Sequence, residues 1–252
     1  MSSVRNLLHA VESMEMIDLT HVLEEDMPVY PTHSRYFHTK WDSFETGSPA
    51  LVCQLLINEH CGTHVDATGH FLKEGEPAHR YMAETPLEHC MGRALTLDFS
   101  SYEASDLVSR QEVLLWEREH FSIEEGDIVL FRFGWDRYWT PRSAGRTYTA
   151  SWPGLSEEAA AYLASKKIKA VGCDTLAIDS SHSDGYPAHY QLLGNGITIF
   201  ENLKGLERIA GESFFIGFPL KIKGGSGSPV RAVAWIPKNE ARRLSVHHAE
   251  HQ

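Results

Sequence analysis

The sequence predicts one α/β domain, residues 1–252, built on a mixed β-sheet with flanking helices. Three observations predict it. The chain has 252 residues, of which 42% are hydrophobic, enough to enclose one sizeable core. Short apolar runs of strand-like composition recur along its length and outnumber the segments with helical spacing. The two kinds of segment do not alternate as a wholly parallel sheet requires, which leaves strands of both directions.

In chain order, Val4, Leu7, Leu8, Val11 and Met14 have helical spacing and place an N-terminal helix within 1–16. Residues 17–20 and 51–57 read as strands, separated by an irregular segment with prolines at Pro28 and Pro31 and turn chemistry at Thr46, Gly47, Ser48 and Pro49. Further strands are expected at 94–99, 127–133, 170–173, 197–200, 214–218 and 230–236, with helices at 105–119 and 156–167. The second helix opens on a capping Ser156 followed by Glu157 and Glu158, whose charges suit the positive end of a helix dipole. The glycine-serine run at 224–228 precedes a strand, whereas a phosphate-binding glycine loop opens a helix, so a hairpin or substrate-side loop is expected. Residues 240–252 form a polar tail, where His247, His248 and His251 read as solvated.

Charge narrows the partners. The 23 basic against 34 acidic residues give a net charge of −11, a poor match to nucleic-acid phosphates or anionic membranes. The first 21 residues carry Glu12 and Glu15 and no continuous apolar run, which predicts neither signal peptide nor spanning helix and points to the cytoplasm. Cys53, Cys61, Cys90 and Cys173 form no C-x-x-C pair and are expected as reduced thiols.

The most informative stretch is His60-Cys61-Gly62-Thr63-His64-Val65-Asp66-Ala67-Thr68-Gly69-His70, with three histidines and an aspartate at even offsets. A straight strand would put the four on one face but its outer pair roughly 33 Å apart, beyond the reach of one ion. A helix would bring His60 and His64 together and swing Asp66 away. A bent strand or loop folding back at Gly62 and Gly69 lets them converge. The helical zinc-protease signature does not match, because Glu59 precedes the first histidine.

This stretch, followed by Phe71, resembles the H-x-G-T-H-x-D-x-x-x-H signature of the cyclase-like metal-dependent hydrolases, a family that includes bacterial kynurenine formamidases and isatin hydrolases. The resemblance continues through Asp18-Leu19-Thr20-His21, Met27-Pro28-Val29-Tyr30-Pro31, Gly134-Trp135, Gly172-Cys173-Asp174-Thr175, Ile178-Asp179, His189-Tyr190-Gln191 and Gly227-Ser228-Pro229. It implies the swivelling β/β/α fold, His60, His64 and Asp66 as ligands of a first metal, and His70 as the proton-transferring residue. It adds His189 and Glu201 as the second half of the site. His182 lacks the expected spacing to Glu201.

The resemblance further implies a divalent metal, zinc foremost with manganese as the alternative, one or two per subunit, and a homodimer or homotetramer. Its substrate would be a small-molecule amide of an aromatic amine, with Tyr30, Phe71 and Trp135 as substrate-binding residues and Trp41 as a further aromatic near the matched segments. Arg132, Arg137 and Arg231 are candidate holders of a carboxylate. An isatin-type cyclic amidase with a single manganese, or a non-catalytic metal-binding or ligand-sensing protein, stay open as alternatives. Tyr30 stands where formamidases carry tryptophan, Thr68 and Gly69 replace a proline-containing sequence, and the chain is longer than bacterial formamidases around 138–151 and 180–188.

Overall fold

The computed structural model describes residues 2–141 and 146–238. The chain begins with α1 (Ser3–Glu12), β1 (Met14–Asp18), β2 (Phe37–Asp42), β3 (Val52–Leu56), β4 (His64–Asp66) and β5 (Met91–Asp98). It continues through β6 (Leu107–Val108), α2 (Arg110–Glu119), β7 (Ile128–Arg132), α3 (Arg146–Ala150), β8 (Gly154–Leu155) and α4 (Glu157–Ser165). It closes with β9 (Ala170–Cys173), α5 (Pro187–Gly194), β10 (Thr198–Glu201), β11 (Gly211–Ile216), β12 (Gly227–Pro229) and β13 (Val233–Pro237).

Nine strands form one sheet in the order β1-β13-β11-β5-β7-β9-β10-β4-β12. The middle four, β5, β7, β9 and β10, run parallel, and the strands outside them pair antiparallel, giving the mixed sheet expected. Alternation along the strands feeds two cores. Leu95, Leu97, Val129, Phe131 and Ile199 face α2, α4 and α5 on one side, whereas Ala94, Ile128, Leu130 and Phe200 pack with Ile17, Phe215 and Ile236 on the other. Ser156 caps α4 by accepting the Ala159 amide, as its position in the sequence predicts.

Two expectations change. The first helix ends at Glu12, and Met14, which helical spacing assigned to it, starts β1 because that segment pairs with β13 at the far end of the chain. The irregular segment contains β2, which forms a separate two-stranded hairpin with β3. This hairpin leaves Trp41 75%, Leu55 52% and Leu56 59% exposed. All four cysteines are free. Among the described residues no helix is long and apolar enough to cross a membrane. The tail histidines His247, His248 and His251 lie outside the described residues.

Candidate metal centre

The site is built where β4 lies between β10 and β12. The pleat of β4 sends His64 and Asp66 to the helix-covered face and Val65 into the second core. Glu201 pairs opposite His64, and residues directly opposite share a face, so its carboxylate joins them. His60 arrives from the preceding turn, where Gly62 takes the left-handed φ of 61° that a side chain disfavours. His60 also needs Gly227, since a Cβ there would sit 2.6 Å from its ring. The fifth group, His189, comes from α5, a helix that starts on Pro187, where the missing N–H costs nothing.

Two donor groups meet at Asp66: His60, His64 and Asp66 form one, and Asp66, His189 and Glu201 the other. His64 Nε2 lies 3.5 Å from Asp66 Oδ1 and 3.5 Å from Glu201 Oε2, while His189 Nε2 lies 3.6 Å from Asp66 Oδ2 and 3.3 Å from Glu201 Oε1. Each carboxylate therefore turns one oxygen to each histidine. Donors about 2.0–2.2 Å from a tetrahedral ion stand roughly 3.3–3.6 Å from one another, so these separations suit a shared ion better than direct hydrogen bonds. His64 Nε2 and Asp66 Oδ2 are buried with no hydrogen-bond partner among the described residues, and both point into this space.

The outer ring nitrogens complete the fit. A ligating histidine gives its second N–H to an acceptor that fixes tautomer and orientation. His64 Nδ1 lies 2.9 Å from the Gly62 carbonyl, His189 Nδ1 lies 2.5 Å from Asp179 Oδ2, and His60 Nε2 lies 2.9 Å from Ser226 Oγ. Ser226 in turn donates to Glu59 at 2.9 Å. His60 Nδ1, 2.7 Å from Asp66 Oδ1, faces the centre. Asp179 has a second duty: it accepts the Ala188 and His189 amides at 2.8 and 3.2 Å, capping α5 and anchoring the histidine together. This donor set of imidazoles and carboxylates is that of a divalent metal ion.

Electrostatics agree. Burial opposes charge on His64, but Asp66 and Glu201 overcome it and lift the imidazole to about 10. His189 is raised in the same way, against burial, by Asp179, Asp66 and Glu201. Burial pushes Asp66 upward, yet the surrounding His60, His70 and His189 hold it well below the carboxylate range. Two buried carboxylates thus hold positive charge in their neighbours, and a bound cation would take the place of those protons.

His70 belongs to neither donor group. Its ring stacks on His60 at 3.9 Å, and burial depresses it to about 4, with Asp66 opposing and His60 adding to the effect. It faces a cavity of about 260 Å³ that also exposes His60, His64, His189 and Glu201. Tyr30 and Phe71 line this cavity, and Phe71 stacks on His189 at 4.5 Å.

Trp135 does not. It is 4% exposed in the first core, packed on Tyr138 at 5.0 Å, because the short helical turn after Gly134 directs it inward. Among the described residues no arginine lines the cavity: Arg132 pairs with Asp98, Arg231 with Asp18, and Arg137 lies over the Tyr138 ring at 4.7 Å. Trp41 stands on the exposed hairpin. His182 bonds Ser105 at 2.6 Å, outside both donor groups.

Several site residues escaped the sequence reading. His33 and Tyr186 line the cavity, and Asn202 ties the Gly62 carbonyl at 3.1 Å. Asp179 sat within the Ile178-Asp179 match, a signal of importance without a role.

Compared with known proteins, residues 17–180 match the family model Cyclase, described as "Putative cyclase". The chain belongs to the Cyclase family. Among curated cyclase-family relatives it is 26% identical over 244 residues to an isatin hydrolase of Roseibium aggregatum, covering 89% of this chain and 93% of that one. It is 28% identical over 225 residues to a kynurenine formamidase of Bacillus cereus, covering 88% and 98%. The crystal structure of an isatin hydrolase bound to the product analogue thioisatinate superposes with a TM-score of 0.86 at 25% identity, covering 94% of this chain and 100% of that one. The cyclase-family fold is therefore shared over nearly the whole chain.

Proposed function

We propose that this protein is a metal-dependent amidohydrolase that cleaves the C–N bond of a small amide of an aromatic amine. The observation that carries this reading is the pair of buried donor groups sharing Asp66, open to a cavity in which His70 stands free of both. A divalent ion bound there supplies Lewis acidity toward a carbonyl oxygen and activates water near neutral pH. The chain's own residues do the rest. His60, His64 and Asp66 would hold a first ion, and His189 and Glu201 with Asp66 form the second half of a site for one or two ions, zinc in our reading. His70, kept neutral by burial, has a ring nitrogen ready to take a proton from water and return it to the departing nitrogen. Tyr30, Phe71 and Tyr186 give the cavity aromatic walls that suit an aryl ring.

The β2–β3 hairpin supports assembly with a second copy, because an isolated two-stranded ribbon with apolar residues open to solvent on both faces is marginal alone. Four unpaired cysteines suit a reducing compartment, the cytoplasm.

The test is hydrolysis of N-formylanilines and aryl lactams by protein loaded separately with zinc and with manganese. Release of the aryl amine from the formyl compounds is the expected result. No turnover of any amide with either metal would overturn the assignment.

A further inference from the structure

The glycine-serine run at 224–228 takes no direct part in the proposed reaction: among the described residues, none of the run lines the cavity. Its backbone is fixed without help from Glu59. Gly227–Pro229 form β12 against β4, the Met82 amide donates to the Gly225 carbonyl at 2.7 Å, and the Ala67 amide donates to that of Ser226 at 2.9 Å. Two of its glycines are required by what packs on them. A Cβ at Gly225 would lie 2.9 Å from Glu59 Oε1, and one at Gly227 would lie 2.6 Å from the His60 ring. The run thus brings Ser226 into contact with Glu59 and His60 together. Among the described residues Glu59 has no partner but Ser226: its Oε2 accepts the Ser226 amide at 2.8 Å and the Ser226 hydroxyl at 2.9 Å. A hydroxyl has one hydrogen, so toward His60 Nε2, 2.9 Å away, Ser226 Oγ can only accept. The ring proton is therefore on Nε2, and the lone pair on Nδ1 faces the centre.

The three outer bonds of the histidines form a graded set. His189 donates directly to a carboxylate, His60 to a carboxylate through a hydroxyl, and His64 to a neutral backbone carbonyl. In the donor group of His60, His64 and Asp66, the Glu59 and Ser226 chain therefore stands where Asp179 stands in the other group. We propose that Glu59 is a positioning residue of the metal centre, acting through Ser226 to fix the His60 tautomer and to strengthen that ring as a donor to the first ion. A negative charge behind the N–H of an imidazole makes its far nitrogen a better ligand. This rests on the metal-dependent part of the function proposed above, and not on which bond is cleaved.

Competition for zinc with a chromophoric chelator tests the role without any substrate. Ser226→Ala should weaken zinc binding about 10–100-fold. Glu59→Gln, which keeps the shape and loses the charge, should weaken it by at least about threefold. Because the two residues act in series on one ring, the double variant should bind no more weakly than S226A alone. Ser226→Thr, which keeps a hydroxyl, should restore most of the lost affinity. In the cobalt-loaded protein the visible absorption should shift in both S226A and E59Q, a change that a loosened loop away from the ion would not produce. Unaltered zinc affinity in either single variant, or losses that multiply in the double variant, would overturn the role of Glu59. Failure of the unaltered protein to bind zinc would overturn it together with the metal centre. The expected losses in a protein that hydrolyses no amide would support the role and overturn the hydrolase reading instead.

Discussion

The metal centre and the β2–β3 hairpin invert the usual distribution of polarity in opposite ways. At the centre, His64, Asp66, His189 and Glu201 are each 5% exposed or less. On the hairpin, Phe37, Trp41, Leu55 and Leu56 are each at least half exposed. Burying charge is costly unless it is paired, and exposing contiguous apolar surface forfeits the main driving force of folding. Both regions therefore point to something supplied from outside the chain, a cation in one case and, in our reading, a second copy in the other. The difference is in how completely each prepares for its guest. The centre holds its donors by outer hydrogen bonds through Gly62, Asp179 and Ser226. The hairpin is held by its own ladder and by the His38 amide, which donates to Glu25 at 3.2 Å.

The strongest way to break this contrast is Asp66→Asn, which removes a carboxylate from both donor groups at once. Metal content measured by plasma mass spectrometry and turnover should fall together to background; retained stoichiometric metal would dissolve the centre as described. His70→Ala sharpens the division of roles. It should lower kcat by about 10²–10⁴-fold with metal content unchanged, and metal loss would make His70 a ligand. Asp179→Asn should weaken metal affinity about 10–100-fold in a chelator competition, since His189 loses its anchor. On the hairpin, Trp41→Glu with Leu55→Glu should weaken self-association by at least about tenfold, each buried apolar side chain being worth about 1.5–3 kcal/mol. Light scattering that gives an unchanged mass would remove the hairpin from any interface.

The smallest effect comes from His21, a buried imidazole with no carboxylate acting on it among the described residues. It stacks on Trp139 at 4.0 Å, and burial, with a contribution from Lys204, drives it down to about 3. His64, equally buried but flanked by Asp66 and Glu201, goes up instead. Between pH 6.5 and about 3 the unfolded chain binds a proton at His21 that the folded chain refuses, so this group makes stability fall as pH falls. The loss at pH 6 relative to pH 8 is about 0.8 kcal/mol. His21→Phe should flatten that slope in denaturant titrations, and an unchanged slope would show that His21 does not set it.

Much of the centre could be read before the fold was known, because its residues are close in sequence and chemically distinctive. His60, His64 and Asp66 meet as their spacing suggested, and the turn at Gly62 that allows it was legible from glycine alone. Gly69, expected to let the chain fold back as Gly62 does, sits instead in a short 3-10 turn without a left-handed φ, and a side chain is excluded there because a Cβ would lie 2.9 Å from the Arg80 carbonyl. His189 and Glu201 emerged only through family resemblance, since nothing local distinguishes them from ordinary polar residues. The swap of Met14 from helix to strand, the burial of Trp135 and the partners of the three arginines all depend on segments distant in sequence. By contrast, β2 was legible and overlooked: Phe37, Thr39 and Trp41 alternate with His38, Lys40 and Asp42, but two prolines upstream drew the segment toward loop.

The sequence His64-Val65-Asp66 also makes its strand a lock with only one key position. Val65 is fully buried in the apolar core on the opposite face. A slip of β4 by one residue against β10 and β12 would turn both polar side chains into that core and present the valine to the ion. A metal held by His64 and Asp66 would thus stabilise only the in-register pairing of β4 with β10 and β12, so that the ligand set and the sheet register specify one another.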